Sequence, residues 1–205
     1  PIPASWLVHV GHDFGPDNPC ALFYAQDPAT GNFFLFKEYL PGPGISTSQH
    51  VEAFKRIIRL PGEEGNDSPK TYNVLNRVGG NKSSEGEVRE AYTAHGWPIS
   101  EPKIGHVEPR IDRVTGMHQL NKIFVFRSCR NYLDEKRTFS RKLDAQQRPT
   151  MDIQDESRFH CMSAEQYIMS YFTPETAVST NYGVPVGINH VEPGNGYGRA
   201  IRVNH

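Results

Sequence analysis

The stretch Trp6-Leu-Val-His-Val-Gly-His-Asp-Phe-Gly15 decides how the whole chain is interpreted. Residues 6–10 are apolar and β-branched, which predicts a strand, and Asp13 stands just past that run. Aspartate and glycine are common in turns at strand ends for conformational reasons. A carboxylate after a central strand is also a common metal ligand in α/β nucleases and phosphotransferases. On these ten residues alone, a turn aspartate is the simpler interpretation.

Length and composition indicate one soluble globular domain with some additional chain. The protein has 205 residues, of which 37% are hydrophobic and 22% charged. No apolar run approaches the ~20 residues that a membrane span needs, and no signal-peptide pattern is present. Cys20, Cys129 and Cys161 are scattered and form no CxxC pair, which favours a reducing compartment and argues against a thiolate zinc site.

Positive charge is concentrated in one segment. The net charge is −1, but residues 103–150 contain 11 Lys and Arg against 5 Asp and Glu. A basic segment beside an acidic remainder is typical of a protein that meets a polyanion on one face and holds cations on another. A solvated helical face explains the same charges equally well.

Five stretches have the composition of strands. The second and third are joined by Asp27-Pro-Ala-Thr-Gly31, a turn sequence that predicts a hairpin. The strands are predicted at residues 6–10, 20–25, 32–40, 71–78 and 123–126.

Helices are predicted where apolar residues recur at helical spacing. Ser46 to Ser48 are N-cap candidates for the first helix, and Ser84 with Glu87 has capping-box spacing at the second. Residues 142–150 are predicted to form a polar loop. The helices are predicted at residues 48–60, 84–95, 107–120, 131–139 and 157–172.

This order of elements predicts an α/β protein with a mixed five-stranded sheet, its first three strands antiparallel, flanked by helices. It is the order of a ribonuclease H-like fold, in which the first strand is central and carries the first catalytic acid. Asp13 lies at the matching place. We expect residues 1–172 to form this domain. Residues 173–205, rich in Gly and Pro and including Tyr182 and Tyr197, are expected to form an extension packed on it or partly flexible.

Three groups of motifs together resemble the nuclease domain of the large terminase subunits of tailed bacteriophages, over residues 2–172. The first group resembles the opening of that domain: Val10-Gly-His-Asp-Phe-Gly15 with Asn18-Pro19, then Asp27-Pro-Ala-Thr-Gly31 and Glu38-Tyr39. The second is similar to its middle: Val78-Gly-Gly80, Glu85, Glu87, Arg89 and Gly96-Trp97-Pro98. The third is similar to its closing helix: Phe159-His160, Ala164, Glu165, Tyr167 and Ile168.

The resemblance implies the metal-dependent endonuclease of a viral DNA-packaging motor, which cuts concatemeric double-stranded DNA in the host cytoplasm. The implied partners are the terminase ATPase domain, the small terminase subunit and the portal protein, with no membrane. The sequence contains no GxxxxGK[ST] motif, which agrees with an ATPase half that is separate from this chain.

Phosphodiester cleavage of this kind uses two divalent cations, Mg²⁺ or Mn²⁺, about 4 Å apart and held by carboxylates. The resemblance implies one acid from the first strand, one from the end of the fourth and one from the last helix. Asp13 fits the first position as a bridging ligand. Gly79-Gly80-Asn81 occupies the second position, where the family often has Asp, and Glu85 is the nearest carboxylate. Glu87 is next along the chain, and either glutamate also suits a helix cap.

The third position departs most from the family pattern. Terminases commonly have His-x-x-Asp-Ala at the start of the last helix, and this chain has His160-Cys-Met-Ser163-Ala164. A hydroxyl group is a poor substitute for a carboxylate on Mg²⁺. Either Asp155 or Asp152 supplies the third ligand, or that ligand is missing. His160 is expected to bind or orient a metal-bound water, although a histidine at a helix start is often a cap or packing residue.

DNA is expected to meet the basic side of the domain through contacts to phosphates that are largely independent of sequence. The candidate residues are Arg110, Arg113, Lys122, Arg127, Arg130, Lys136, Arg137, Arg141 and Lys142.

Two other functions remain open. The chain could be a catalytically degenerate terminase-like domain that grips DNA or docks on the portal, which would explain the missing acids. It could also be a ribonuclease H-like resolvase or exonuclease outside packaging, which would act on branched junctions rather than linear duplex.

Overall fold

The computed structural model describes residues 1–15, 19–174 and 200–201. The strands of the main sheet are β1 (Leu7–Asp13), β2 (Cys20–Gln26), β3 (Phe33–Tyr39), β4 (Asn73–Gly79), β5 (Ile123–Phe126) and the two-residue β8 (Ala200–Ile201). Their order in the sheet is β4-β1-β2-β3-β5-β8. β1 pairs antiparallel with β2 and β2 with β3, whereas β1 with β4 and β3 with β5 are parallel.

This topology confirms the predicted ribonuclease H-like fold, because all five predicted strands form one mixed sheet with an antiparallel start. β8 adds a sixth strand at the edge, antiparallel to β5. The helices are α1 (Thr47–Ile57), α2 (Gly86–Ala94), α3 (Val107–Gln119), α4 (Arg130–Thr138) and α5 (His160–Met169), with a 3₁₀ turn at Glu156–Arg158.

Both faces of the sheet are buried, which explains why β2 is apolar throughout rather than alternating. Leu22 and Tyr24 face a core shared with α3, α4 and α5. Phe23 and Ala25 face a second core, shared with α1 and α2. The chain therefore has helices on both sides of one sheet.

The first strand is longer than predicted and includes Asp13 as its last residue. The prediction ended at Val10, where Gly11 and the polar His12 interrupt the apolar pattern. His9 and His12 are nevertheless buried, and Trp97 Nε1 donates a hydrogen bond to His12 Nε2 at 3.1 Å. Burial lowers the pKa of His9 to about 4 and that of His12 to about 3, so both rings are neutral parts of the core at pH 7.

Two local predictions were wrong. The predicted polar loop at residues 142–150 lies within a hairpin of β6 (Arg141–Leu143) and β7 (Pro149–Ile153). Most of its residues are exposed and only Ile153 is buried, so no hydrophobic alternation marks it. Ser84 and Glu87 form no capping box, because α2 begins at Gly86, with Glu85 at the N-cap position and no side-chain cap.

The first helix follows the predicted start signal. Ser46 and Gln49 form a capping box at the N-terminus of α1. The last helix is shorter than predicted, because the 3₁₀ turn separates residues 156–158 from α5.

The predicted C-terminal extension lies mostly outside the described residues, as do Tyr182, Tyr197 and the motif residue Asn18. In the described part of the chain, no helix combines the length and apolar character of a membrane span.

Candidate functional site

Asp13 and His160 meet where the central strand ends and the last helix begins. His160 Nδ1 donates a hydrogen bond to Asp13 Oδ2 at 2.8 Å, and both side chains are about one-fifth exposed or less. This hydrogen bond with Asp13 raises the pKa of His160. The structure thus pairs two of the predicted site residues across 147 positions of sequence.

A close approach between α5 and β1 sets this pairing. A Cβ atom on Gly11 would lie 2.2 Å from the carbonyl oxygen of Ala164, so only glycine allows the helix to pack this near the strand. Asp13 lies two residues beyond Gly11, about 6.7 Å along the same face of the strand. His160 lies one turn before Ala164, about 6 Å along the helix. The contact at Gly11 therefore places His160 over Asp13.

Asp13 and His160 face a polar cleft of about 290 Å³. The cleft extends between the ends of β1 and β4 and the surfaces of α3 and α5. Its polar lining residues are Asp13, Asn81, Arg110, Glu156, Ser157, His160, Ser163, Gln166 and Tyr167.

Asn81 enters the cleft because the end of β4 packs tightly against β1. A Cβ atom on Gly79 would lie 2.5 Å from the backbone oxygen of His12, and Gly80 has a φ angle of +73°. These two glycines turn the chain so that Asn81 faces α5. The Tyr167 hydroxyl donates a hydrogen bond to Asn81 Oδ1 at 3.2 Å.

Glu85 supports this turn from outside the cleft. Its carboxylate accepts a hydrogen bond from the Asn81 backbone N–H. The guanidinium group of Arg89 holds the same turn through the carbonyl oxygens of Gly79 and Asn81, at 3.2 and 3.1 Å. Glu85 does not line the cleft, and Glu87 is exposed on α2. The role of Glu85 as a metal ligand stays a prediction.

The acidic stretch before α5 brings a different residue to the cleft than expected. Asp155 has a left-handed backbone, φ +49°, and its carboxylate is 3.1 Å from Gln154 Nε2 and 4.0 Å from Arg158 Nη1. Asp155 does not line the cleft, whereas Glu156 does. Asp152 is exposed in β7. The acidic residues in this stretch predicted a carboxylate at the cleft. The turn at Asp155 determines that this carboxylate is Glu156.

The cleft residues fit one hard cation better than two. Asp13 provides a carboxylate, and Asn81 and Ser163 provide neutral oxygens, the atom type that Mg²⁺ and Mn²⁺ prefer. Within residues 1–15 and 19–174, no three His, Cys, Asp or Glu side chains form a group that could hold a metal ion. One carboxylate together with a substrate phosphate is still within the usual range for Mg²⁺.

Four of the nine predicted DNA contacts have side chains that interact with other parts of the domain. Arg110 is buried in the cleft, with its guanidinium 4.6 Å above the Tyr167 ring. Arg113 donates to the carbonyl oxygen of Phe172. Lys136 lies 3.4 Å from the buried carboxylate of Glu165, and Arg141 forms a two-pronged ion pair with Glu108 at 2.9 and 2.5 Å.

The other five basic residues lie nearer the surface. Lys122 precedes β5 at the end of the sheet opposite Asp13, and its Nζ donates to the Thr30 carbonyl oxygen at 3.3 Å. Arg137 pairs with Asp134 at 3.0 Å on an exposed face. Arg127, Arg130 and Lys142 are exposed.

Two partly buried carboxylates cap the helices α4 and α5. Glu38 on β3 accepts from the backbone N–H groups of Asn131 and Tyr132 at the start of α4. Glu135 on α4 accepts from those of Cys161 and Met162 at the start of α5, at 2.8 and 3.2 Å. Carboxylates suit these positions because a helix N-terminus has unpaired donors and a positive dipole end.

We expect the variant Glu135→Gln to flatten the pH dependence of stability. Burial raises the pKa of Glu135 from 4.5 to about 7, so the folded state holds this proton more tightly than the unfolded chain. Stability is therefore lost as pH rises from 4.5 to 7. At pH 8 the variant should be more stable by up to about 3 kcal/mol. Urea unfolding at pH 4.5, 6 and 8 checks this, and an unchanged difference between the proteins across that range would contradict it.

Comparison with known proteins gives structural matches alone, since no protein-family model and no curated protein matches this sequence. The structure is similar to the large terminase (g2p) nuclease domain of bacteriophage SPP1 with bound Mn, with TM-score 0.57, 17% identity and coverage of 80% of this chain and 85% of that one. The structure is also similar to the nuclease domain of the P22 large terminase, with TM-score 0.56 and 16% identity. That match covers 84% of this chain and 86% of the P22 domain.

The large terminase of a thermophilic bacteriophage matches with TM-score 0.64 and 13% identity, covering 83% of this chain. This chain spans only 41% of the length of that protein. At these identities the matches establish the fold, which is that of the nuclease domains of large terminases.

Proposed function

We propose, from the fold shared with terminase nuclease domains, that this chain is the endonuclease domain of a bacteriophage DNA-packaging terminase and cuts double-stranded concatemeric DNA. The observation that carries the proposal is Asp13, which ends the central strand, contacts His160 and faces a polar cleft of about 290 Å³. Nuclease domains of this fold have been described with bound Mn and with bound Magnesium. As one domain of a large subunit, it would act with an ATPase domain, a small subunit and a portal.

Asp13 is the residue that would hold a divalent cation, Mg²⁺ or Mn²⁺, with help from the oxygens of Asn81 and Ser163. When bound, such an ion supplies Lewis-acid polarisation of a phosphate and activation of water. Among the described residues, only Asp13 and Glu156 contribute carboxylates to the cleft lining. We propose one ion in the protein alone, since two ions are better held by a larger set of acids.

The chain's own residues define how DNA reaches this cleft. His160 fixes the Asp13 carboxylate in one orientation through its hydrogen bond. Arg127 and Arg130 follow β5, which runs parallel to β3 and so ends at the same end of the sheet as Asp13. With Lys142 they give an exposed basic surface for the DNA backbone, whose contacts position the duplex without reading its sequence.

A second candidate function is a DNA-gripping or portal-docking module without nuclease activity. The observation that favours it is the neutral pair Asn81 and Ser163, which line the cleft where the family pattern has acids. Both candidates require DNA or portal binding, and they differ only in whether the cleft performs hydrolysis.

We expect the protein to nick supercoiled plasmid slowly with Mn²⁺ or Mg²⁺, and to lose this activity with EDTA. The variant Asp13→Ala should lower the rate at least tenfold, because it removes the carboxylate that ends the central strand at the cleft. Asp67→Ala, which changes an exposed loop residue, is the matched control and should cut like the wild type.

Each other outcome identifies a different function. A folded protein that binds duplex DNA but never nicks it would support the gripping module. Cutting that requires a four-way junction and spares linear or supercoiled duplex would support a resolvase and contradict the packaging role.

A further inference from the structure

Arg110 carries buried hydrogen-bond donors that have no acceptor among the described residues. The residue is 3% exposed, and among the described residues nothing accepts a hydrogen bond from its Nε or Nη1. Within the same part of the chain, no carboxylate lies within ion-pair distance of this guanidinium. Burial lowers the pKa of Arg110, and the nearby Tyr167, Glu156 and Asp13 offset this only in part. Buried donors without acceptors cost stability, so their presence beside a polar cleft indicates an acceptor that arrives from outside.

The guanidinium is held in place before any ligand binds. It stacks over the Tyr167 ring, with its Cζ 4.6 Å from the ring centre. Tyr167 in turn donates to Asn81 Oδ1 at 3.2 Å. A guanidinium fixed in this way loses little side-chain freedom when it donates charge-assisted hydrogen bonds to phosphate oxygens.

The neutral side chains of Asn81 and Ser163 suit a phosphate better than acids at the same two positions would. Asn81 uses its oxygen toward Tyr167, which directs its amide nitrogen, a donor, away from that contact. Ser163 adds a hydroxyl group to the same lining. Acids at these two positions, beside Asp13, would repel a phosphate until cations were bound, whereas the neutral side chains do not.

We propose that this cleft binds a DNA backbone phosphate directly, through Arg110 with Asn81 and Ser163, and that this contact needs no metal ion. The proposal rests on the proposed function only for the identity of the ligand, a duplex DNA backbone. It assigns Arg110 as the anchor of the phosphate at the cleft, separate from any role of Asp13 in hydrolysis.

The test is binding of a fluorescein-labelled 20-base-pair duplex in EDTA, by anisotropy, at several NaCl concentrations. Arg110→Met should weaken binding roughly tenfold or more, as expected for loss of a charged hydrogen bond. The slope of log Kd against log salt should fall by about 0.9, the value for one phosphate contact. Arg110→Lys, which keeps the charge and loses the planar set of donors, should give an intermediate affinity.

Lys122→Met is the matched control, because Lys122 lies at the opposite end of the sheet, and its slope should equal that of the wild type. Thermal unfolding gives a second readout. If Arg110 binds phosphate, saturating duplex in EDTA raises the melting temperature of the wild type more than that of Arg110→Met, because a ligand that binds only the folded state stabilises it. If Arg110 only supports the fold, duplex raises the melting temperatures of both proteins equally.

Three outcomes would overturn the inference. Equal binding by Arg110→Met and Lys122→Met would do so while leaving the DNA-binding function intact. Wild-type binding that appears only with Mg²⁺ would show that the phosphate contact depends on metal. No duplex binding in EDTA or Mg²⁺ would overturn the proposed function as well.

Discussion

The double variant N81D/S163D is expected to bind Mn²⁺ at least tenfold more tightly than the wild type and to nick plasmid at least a hundredfold faster. Both substituted residues line the cleft that contains Asp13. With Asp13, the two added carboxylates would place acids at all three positions of the family pattern, as a two-cation site requires. Asn81→Asp keeps the side-chain shape and the acceptor for the Tyr167 hydroxyl.

The same variant should lose stability when no metal is present. Carboxylates that face one cleft repel each other, which raises their pKa values and destabilises the folded state by roughly 1–3 kcal/mol. Mn²⁺ should restore the melting temperature, because a ligand that binds only the folded state stabilises it. Metal-free DNA binding should weaken as well, since the new carboxylates would repel phosphate.

The triple variant N81D/S163D/D13N is the control and should lose both the Mn²⁺ affinity and the nicking activity. Isothermal titration with Mn²⁺ and plasmid nicking measure the two effects. If the double variant binds Mn²⁺ tightly but still does not cut, the wild-type cleft lacks other groups that hydrolysis needs besides the two carboxylates. If it binds no Mn²⁺, Asn81 and Ser163 are not equivalent to the acids of the family pattern.

The fold could be predicted because its signals are local. Each strand is a short apolar run, and the order of strands and helices restricts the topology to few choices. The position of Asp13 followed from that topology. The location of Lys122 also follows from strand direction, because β5 runs parallel to β1 and therefore starts at the end opposite Asp13. The predicted DNA contacts nevertheless include Lys122.

The remaining site details depend on contacts that no local pattern records. Glu156 rather than Asp155 faces the cleft because of one left-handed residue in the preceding turn. Glu85 supports the turn at Asn81 through a single hydrogen bond to its backbone. Lys136 has the same exposed-looking helical context as Arg137, and only tertiary packing buries it against Glu165.

Glu165 forms the centre of the buried polar network that fixes α5. Tyr132, His118, Tyr24 and Lys136 approach its carboxylate at 2.8, 3.2, 3.3 and 3.4 Å, and Glu165 is 1% exposed. Burial alone would raise the pKa of Glu165, but Lys136 and His118 outweigh it and hold the value at about 2. The stability that Glu165 contributes is therefore present above pH 4.5 and lost as the pH falls from 4.5 toward 2.

Glu165→Ala is expected to destabilise the protein by about 3–5 kcal/mol at pH 7, because it leaves the buried Lys136 without its counter-charge. Urea unfolding followed by circular dichroism measures this, with Glu90→Ala on the exposed surface of α2 as a control that should cost less than about 0.5 kcal/mol.

The double variant E165L/K136M should recover the part of the loss that comes from the unpaired Lys136 charge, since it removes both charges together. Tyr132, His118 and Tyr24 would still lose their acceptor. A cost below about 1 kcal/mol for Glu165→Ala would show that the network contributes little net stability. Because α5 also carries His160 and Ser163, a large cost would mean that Lys136 stabilises the helix that forms the cleft. Its positive charge would then belong to the scaffold of the site rather than to the surface that meets DNA.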